Sequence, residues 1–370
     1  MKIFMTYGRT ASTENVELIE DVPYAQKIHW FPETFHNSHT GFVFPPHRMA
    51  EKVLDPAMVD QIRQTTKGKS AFILAGGNSN FAGVGRQPKK PTKLTFEYKI
   101  LSLSLTQVFA GRLAAQFGAS DLVITDASAC ASSLKVLVDV QNLIRHYGFS
   151  RVVVLSVEDS INDLTLQFFG ETGACLTHEK QTTENIQPSA FDSVNEGFYI
   201  GQGSVMAVFE AENAMTAEPM MEFKGAWAAG ENSLNAVGQR EDGEGYRNAI
   251  QGALLSSNVS PEEVRIIKTH GTGTKSNNKA EKSAILSVFN DFVATSYKQK
   301  IGHTLGASGL LETILLSKDL KSGQVPAIKN RTEEDLVFLS KPVDRPDGLS
   351  LSLSAGMGNV YAAAIFDMRN

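Results

Sequence analysis

Three residues carry most of the chemistry this sequence can offer. Cys130 lies in ITDASACASSLKV, where an apolar run gives way through small residues to an amphipathic helical pattern. A thiol at that junction sits at a helix N-terminus. The partial positive charge and unpaired amides there stabilise a thiolate, and the backbone N–H groups can hold an oxyanion. The small neighbours Ala129, Ala131 and Ser132 leave access. Taken singly, a free Cys is also a small buried hydrophobe, and Cys175 in GETGACLTHEK offers only that reading. His270 ends the apolar run of IIKTHGTGTKSNNKAEKS, and His303 stands beside Gly-rich backbone in YKQKIGHTLGASGLLE. A His at a strand end faces a crevice. Either imidazole alone is commonly satisfied by a backbone partner, but two in such similar seats, with a Cys at a helix start, invite a joint role.

The elements that must position these residues alternate. From Ser70 the text reads AFILAGG as a strand, a helical stretch around FEYKILSLSLTQVFAGRLAAQFG, DLVITDASAC as a strand, SSLKVLVDVQNLIRHYG as a helix and RVVVLSVED as a strand. The second half repeats the habit: GSVMAVFEAE, YRNAIQGALLSSN, VRIIKTHGTGT, GASGLLETILLSKDLKSG, and a final strand LSLSLSAGMGNVYAAAIFDM. This rhythm predicts an α/β fold with buried, largely parallel strands and makes an internal duplication plausible. Residues 1–70 read as irregular apart from a helix from about Pro56 to Thr66.

Composition narrows the class. The 370 residues are 42% hydrophobic, with 35 Lys+Arg against 40 Asp+Glu and a net charge of -5, so the chain can bury a large core and bulk nucleic-acid attraction is disfavoured. Two Cys exclude a disulfide framework and fit a reducing compartment. No zinc-type Cys/His spacing or P-loop is present, and no metal or cofactor is expected. The start MKIFMTYGRTASTE has no sustained apolar region, and nowhere do about 18 apolar residues run together, so a cytoplasmic protein without a membrane span is expected.

ACASS around Cys130, FDSVNEGFYIGQGSVMAVFE, KTHGTGT, Glu281, KQKIGHTLGASG and SAGMGN resemble, in the same order, the motifs of β-ketoacyl synthases over roughly residues 70–370. The first 70 residues match poorly. The resemblance implies a thiolase-like five-layered αβαβα fold with two pseudo-duplicated halves, 1–210 carrying the Cys and 211–370 carrying both His. It implies a decarboxylating Claisen condensation of malonyl thioester, presented by an acyl carrier protein, with an acyl group held on Cys130. His270 and His303 would then be neutral donors to the malonyl thioester oxygen, with Lys298 and Glu281 orienting them. The Cys130 and Met357 amides would form the second oxyanion hole, and Met357 stands where the family has a gating Phe, with Gly358 in the same GMGN loop. Phe198 would line the acyl tunnel, and Thr272 and Thr274 would bind substrate. Asn278, Gln202 and Tyr361 depart from residues common in the family. The basic run RQPKKPTK, with Arg86, Lys89, Lys90 and Lys93, is a solvated loop or a steering patch for an acidic carrier protein.

The main competing reading is a non-catalytic chain-length-factor-like partner, whose usual mark is loss of the reactive Cys. A thiolase would need a second reactive Cys near the C-terminus, an initiating synthase would have Asn at His303, and a cysteine hydrolase finds no support in the Gly/Thr-rich His loops. The expected assembly is a homodimer, or a heterodimer with a chain-length-factor-like ketosynthase, in a fatty-acid or a polyketide or polyene pathway.

Overall fold

Strands rich in Val, Ile, Leu and Ala and buried on both faces dictate where every helix must go. The structure is a computed structural model that describes residues 1–12, 53–76, 106–158, 160, 163–176, 184–235 and 237–369. Among the described residues ten strands form one sheet: β1 (Ile3–Ser12), β2 (Ser70–Ala75), β3 (Leu122–Asp126), β4 (Arg151–Glu158), β5 (Gly203–Ala211), β6 (Met221–Gly230), β7 (Val264–Lys268), β8 (Val293–Thr295), β11 (Leu349–Gly356) and β12 (Val360–Asp367). The short β9 (Gln324–Val325) and β10 (Val343–Asp344) pair separately. The order β3-β2-β4-β5-β1-β6-β12-β11-β7-β8 is two five-strand blocks of mirrored topology. Within the sheet, among the described residues, they are joined where Ile3–Met5 of β1 meets Met221–Phe223 of β6.

The period-two alternation of the strands sorts side chains between helical layers. On β2, Phe72 and Leu74 face an outer layer of α1 (Pro56–Thr65) and α2 (Thr106–Phe117), through Met58, Ile62, Leu113 and Phe117. Ile73 between them faces a central layer of α3 (Ser132–Lys135), α4 (Leu137–His146) and α9 (Ser308–Leu320), which also receives Ile266, Ala362 and Ala364 of the second block. On the far side Ile267, Leu351, Ala363 and Ile365 meet α6 (Glu244–Ser257) and α7 (Lys275–Val288). The result is the five-layered αβαβα arrangement of the thiolase-like fold. The remaining helices are α5 (Asp163–Glu171) and α8 (Lys298–Ile301).

The two blocks meet at the central helices through a repeated device. ACASSL from Ala129 and LGASGL from Leu305 each begin with a residue at positive φ, 48° for Ala129 and 43° for Leu305. Each then makes a 3-10 turn, Ala129–Ala131 or Leu305–Ala307, that leads into a helix. The turns pack on one another. The Leu310 N–H donates to Ser133 Oγ at 3.1 Å. A Cβ on Gly309 would stand 2.7 Å from Leu134 Cβ, so glycine is what lets these helices approach.

Several expectations need correction. The strands are not largely parallel: β5, β1, β6 and β12 pair antiparallel with their neighbours, and only β2 with β3 and β4, and β7 with β8 and β11, are parallel. The supposed final strand is a hairpin, because Met357–Asn359 form a turn between β11 and β12. The opening segment is not irregular throughout, since Ile3–Ser12 is a strand paired along β5. The helix after Cys130 is divided at Val136. The basic run with Arg86, Lys89, Lys90 and Lys93 lies outside the described residues. Among the described residues no helix is long and apolar enough to cross a membrane.

Candidate active site

Cys130 owes its place to the strand before it and the strand beneath it. At the end of β3 the Asp126 carboxylate accepts the Ser128 N–H at 3.0 Å and pairs with Lys135, folding the chain back towards α3. The Cys130 carbonyl accepts from Ser354 Oγ of β11 at 2.9 Å. Beside it, a Cβ on Gly356 would lie 3.2 Å from the Cys130 nitrogen and 2.7 Å from the Ser128 carbonyl oxygen, so only glycine leaves this backbone in contact. The thiol is buried with Phe169, Cys175, Phe198, Ile200 and Leu305, and Met357 packs against the same group. Cys175, read as a packing residue alone, is thus a neighbour in this cluster.

The histidines arrive from the other block. His303 follows the turn after α8, its amide donating to the Tyr199 carbonyl at 2.7 Å and its carbonyl accepting from Gly201 at 2.9 Å. His270 follows β7, where the Glu281 carboxylate accepts the His270 N–H at 2.5 Å and the Gly271 N–H at 2.9 Å. The imidazole rings stand 5.5 Å apart, edge to face, and Phe198 lies edge-on to His303 at 5.1 Å. Both are buried, and neither Nδ1 is bonded to a protein group among the described residues. Burial first, then the positive charge of Lys298, holds both imidazoles well below their ordinary value, so they are neutral at pH 7.

The Cys130 thiol runs the other way. Burial and the Glu158 carboxylate push it up to about 12, against the lowering effects of Lys298 and its own backbone amide. The resting group is a thiol, which corrects the expectation of a thiolate stabilised by the helix N-terminus. Here that N-terminus is a short 3-10 turn inside a desolvated cluster, and burial penalises the anion more than the turn favours it. Glu158 ends β4 with one carboxylate oxygen accepting the Gly306 N–H at 3.1 Å.

Lys298 and Glu281 are both fully enclosed but do not pair with each other. Lys298 donates to one oxygen of Glu312 at 2.8 Å, and Lys268 to the other at 3.1 Å, so one buried carboxylate bridges two ammonium groups. Lys268 also donates to the Leu353 carbonyl at 2.7 Å, and burial lowers its pKa ahead of all other causes.

The other expected residues divide. Phe198 and Met357 lie in the cluster around Cys130, whereas Gly358 is exposed at the tip of the hairpin turn. Thr274 lines a cleft of about 260 Å³ with Cys175, Gly197 and Lys275, and its hydroxyl is 3.1 Å from that of Thr272. Of the departures from the family pattern, Tyr361 bonds Glu231 at 2.8 Å and Asn278 donates to the Gly273 carbonyl at 3.4 Å. Gln202 is buried beside the His303 segment.

Glu158, Lys268, Glu312 and Gly356 were missed. Glu312 had a readable signal: it is the one acidic residue among the apolar positions of SGLLETILL, and a charge buried there needs a partner. Lys268, two residues before His270 at the end of an apolar run, is the matching signal.

Comparison with known proteins places the chain in a family. Two solved structures superpose on essentially the whole chain. A type II polyketide ketosynthase bound to a hexaketide and in complex with its acyl carrier protein has a TM-score of 0.77 and 20% identity, covering 99% of this chain and 98% of its own. The ishigamide ketosynthase/chain length factor has a TM-score of 0.76 and 18% identity over the same shares. These likenesses show the thiolase-like fold. The profile of the β-ketoacyl synthase N-terminal domain matches residues 25–214 and that of the C-terminal domain matches residues 221–332. The chain belongs to the β-ketoacyl synthase family, a family of acyltransferase-type condensing enzymes. The match begins well before residue 70, earlier than the motifs alone indicated.

Among curated relatives, the tetracenomycin polyketide synthase ketoacyl synthase alpha subunit of Streptomyces glaucescens is 26% identical over 98% of this chain and 91% of its own length. A 3-oxoacyl-[acyl-carrier-protein] synthase homolog of Saccharomyces cerevisiae is 28% identical over 71% of this chain, but the match spans only 62% of that relative.

Proposed function

We propose that this chain is a β-ketoacyl-acyl carrier protein synthase that carries an acyl group on Cys130 and extends it with malonyl-acyl carrier protein. The observation that carries the reading is that the buried Cys130 thiol packs with Phe198, whose ring lies edge-on to His303, itself edge to face with His270, and that both imidazoles are buried and neutral. The Cys130 sulfur bonds to the carbonyl carbon of a carrier-bound acyl thioester, passing its proton to the neutral imidazole of His303. The Cys130 and Met357 amides receive the oxyanion, and its collapse expels the carrier thiol, which takes up a proton.

Malonyl thioester then enters. Its bond to the carboxylate breaks, CO2 leaves, and the electron pair moves onto the thioester oxygen, which His270 and His303 hold by N–H donation. The enolate carbon attacks the acyl group on Cys130. The tetrahedral intermediate collapses to the β-ketoacyl thioester, and the expelled Cys130 thiolate takes a proton from solvent. Glu281 fixes the backbone of His270, and the charge of Lys298 adds to burial in keeping both imidazoles neutral. Phe198 and Met357 line the acyl site, and Thr272 and Thr274 the approach of the carrier arm.

The functional division falls between residues 1–210 and 211–370. Pairing with a second ketosynthase, identical or chain-length-factor-like, uses β3, an edge strand whose Leu122 is more than a third exposed. The setting is cytoplasmic, in a fatty-acid or a polyketide or polyene pathway.

The test is intact-mass spectrometry of the purified chain after incubation with a panel of acyl carrier protein thioesters, with Cys130→Ala as control. A gain of one acyl group that the variant lacks is expected. No gain with any donor, alone or with a co-expressed ketosynthase, would overturn the catalytic reading in favour of a non-catalytic partner subunit.

A further inference from the structure

Behind His270 runs a line of hydrogen bonds that the condensation chemistry does not itself use. Glu281 holds the His270 and Gly271 amides, one on each carboxylate oxygen. The Oε2 that takes Gly271 also accepts from Asn277 Nδ2 at 3.0 Å. The Asn277 Oδ1 in turn accepts from the Tyr246 hydroxyl at 2.5 Å. All of these residues are buried.

Beyond Tyr246 the line turns into packing. The Tyr246 ring meets the Tyr361 ring edge to face at 4.8 Å. Tyr361 OH donates to Glu231 Oε2 at 2.8 Å, and Glu231 Oε1 accepts the Arg240 N–H at 3.1 Å. Tyr361 lies four residues after Met357, and the intervening Asn359 pins the hairpin turn to the Ser233 carbonyl at 2.7 Å. Room for the Tyr361 ring is made by Gly245, where a Cβ would fall 2.2 Å from it.

We infer that Tyr246 and Asn277 are positioning residues for His270, and that the Tyr246–Tyr361 contact ties the aim of that imidazole to the turn bearing Met357. The inference rests on the reading of His270 as a donor to the reacting thioester. An Asn side chain has one acceptor and one donor end, and Glu281 as a carboxylate needs the donor end. The Tyr246 hydroxyl occupies the acceptor end, so Asn277 has one orientation. Burial keeps that hydroxyl protonated by raising its pKa well above the usual value. Without it the amide can turn and face oxygen to oxygen with Glu281, which loosens the peptide that aims the imidazole.

The test uses Tyr246→Phe, which keeps the ring and its contact with Tyr361, alongside Asn277→Ala, the double variant and His270→Ala in the full chain. Acylation of Cys130 is read by intact mass, and condensation with malonyl-acyl carrier protein by kcat and KM. Tyr246→Phe should leave acylation and KM unchanged and lower condensation kcat about tenfold, the scale of one misplaced hydrogen bond. The double variant should fall no further than Asn277→Ala. Unchanged kcat in Tyr246→Phe, multiplicative losses in the double variant, or equal loss of acylation and condensation would each overturn the inference. Full condensation by His270→Ala would instead remove the role of His270 on which it rests.

Discussion

Gly356 and Cys130 meet backbone to backbone across the boundary between the two blocks, with a Cβ at Gly356 placed 3.2 Å from the Cys130 nitrogen. That amide is the one assigned to the oxyanion at the acyl thioester. Gly356→Ala drives a methyl to 2.7 Å from the Ser128 carbonyl oxygen, so the Cys130 turn must shift. Loss of one such donor costs about 10²-fold in rate. Time-resolved intact mass should show acylation slowed by at least about tenfold, with the fold retained by circular dichroism. Wild-type acylation would show that this amide plays no part.

The burial of Cys130, with its thiol pushed up to about 12, fixes how it meets soluble electrophiles. Only the thiolate reacts, so alkylation by iodoacetamide should rise about tenfold per pH unit from pH 7 to 10 without levelling off. A plateau near pH 7 would show a thiolate already present and contradict the environment seen around the sulfur.

The two histidines are shifted in the opposite direction. Each is held well below 6.5 in the folded chain, by burial and then by Lys298. Unfolded, each takes a proton as the pH drops through about 6.5, so the unfolded state binds more protons there. Their stabilising contribution is complete above that pH and falls below it, by about 1.4 kcal/mol per pH unit for each His. Denaturant titrations from pH 7 to 5 should show this slope, and His303→Asn should remove one histidine's share. An unchanged slope in the variant would mean that His303 titrates alike in both states.

Glu312 holds two buried ammonium groups, and neutralising it leaves both without their counter-ion. Glu312→Gln should destabilise the fold by about 3–5 kcal/mol, read as a lowered urea midpoint. Lys298→Ala, by contrast, leaves Lys268 paired and should lower condensation while Cys130 still acylates. Equal turnover in Lys298→Ala and the unaltered chain would sink its assigned influence on the histidines.

Met357 is a flexible, polarisable side chain that packs against the cluster around the thiol. Met357→Phe should narrow the range of acyl groups accepted on Cys130, excluding bent polyunsaturated chains first. An identical profile of chain length and unsaturation would remove Met357 from specificity.

Much of the site was legible because its chemistry sits at element boundaries, which the text marks strongly. ACASS, THGTGT and IGHTLGASG each place a reactive side chain among Gly, Ala, Ser or Thr, where an apolar run stops. What failed was anything that depends on partners far apart in sequence. The run LSLSLSAGMGNVYAAAIFDM has the same alternation whether it is one strand or two. Only its pairing with β6 and β7 on either side makes it a hairpin and puts Met357 at the turn. The resemblance sets Lys298 and Glu281 together as supports of the histidines, yet Lys298 pairs with Glu312 on a central helix.

By itself the sequence singled out the residues proposed to react, because a nucleophile and its donors must be of particular types in particular local seats. It also determined the layered α/β class, because strand and helix periodicities are local. Tertiary structure alone decided the charge states: the same Cys and His types would titrate ordinarily in water, and it is desolvation by both blocks that keeps the thiol protonated and the imidazoles neutral. It alone decided the pairing of Lys268, Lys298 and Glu312 and the line from Tyr361 to His270. Contacts between distant segments follow from how the layers stack, and no local pattern encodes them.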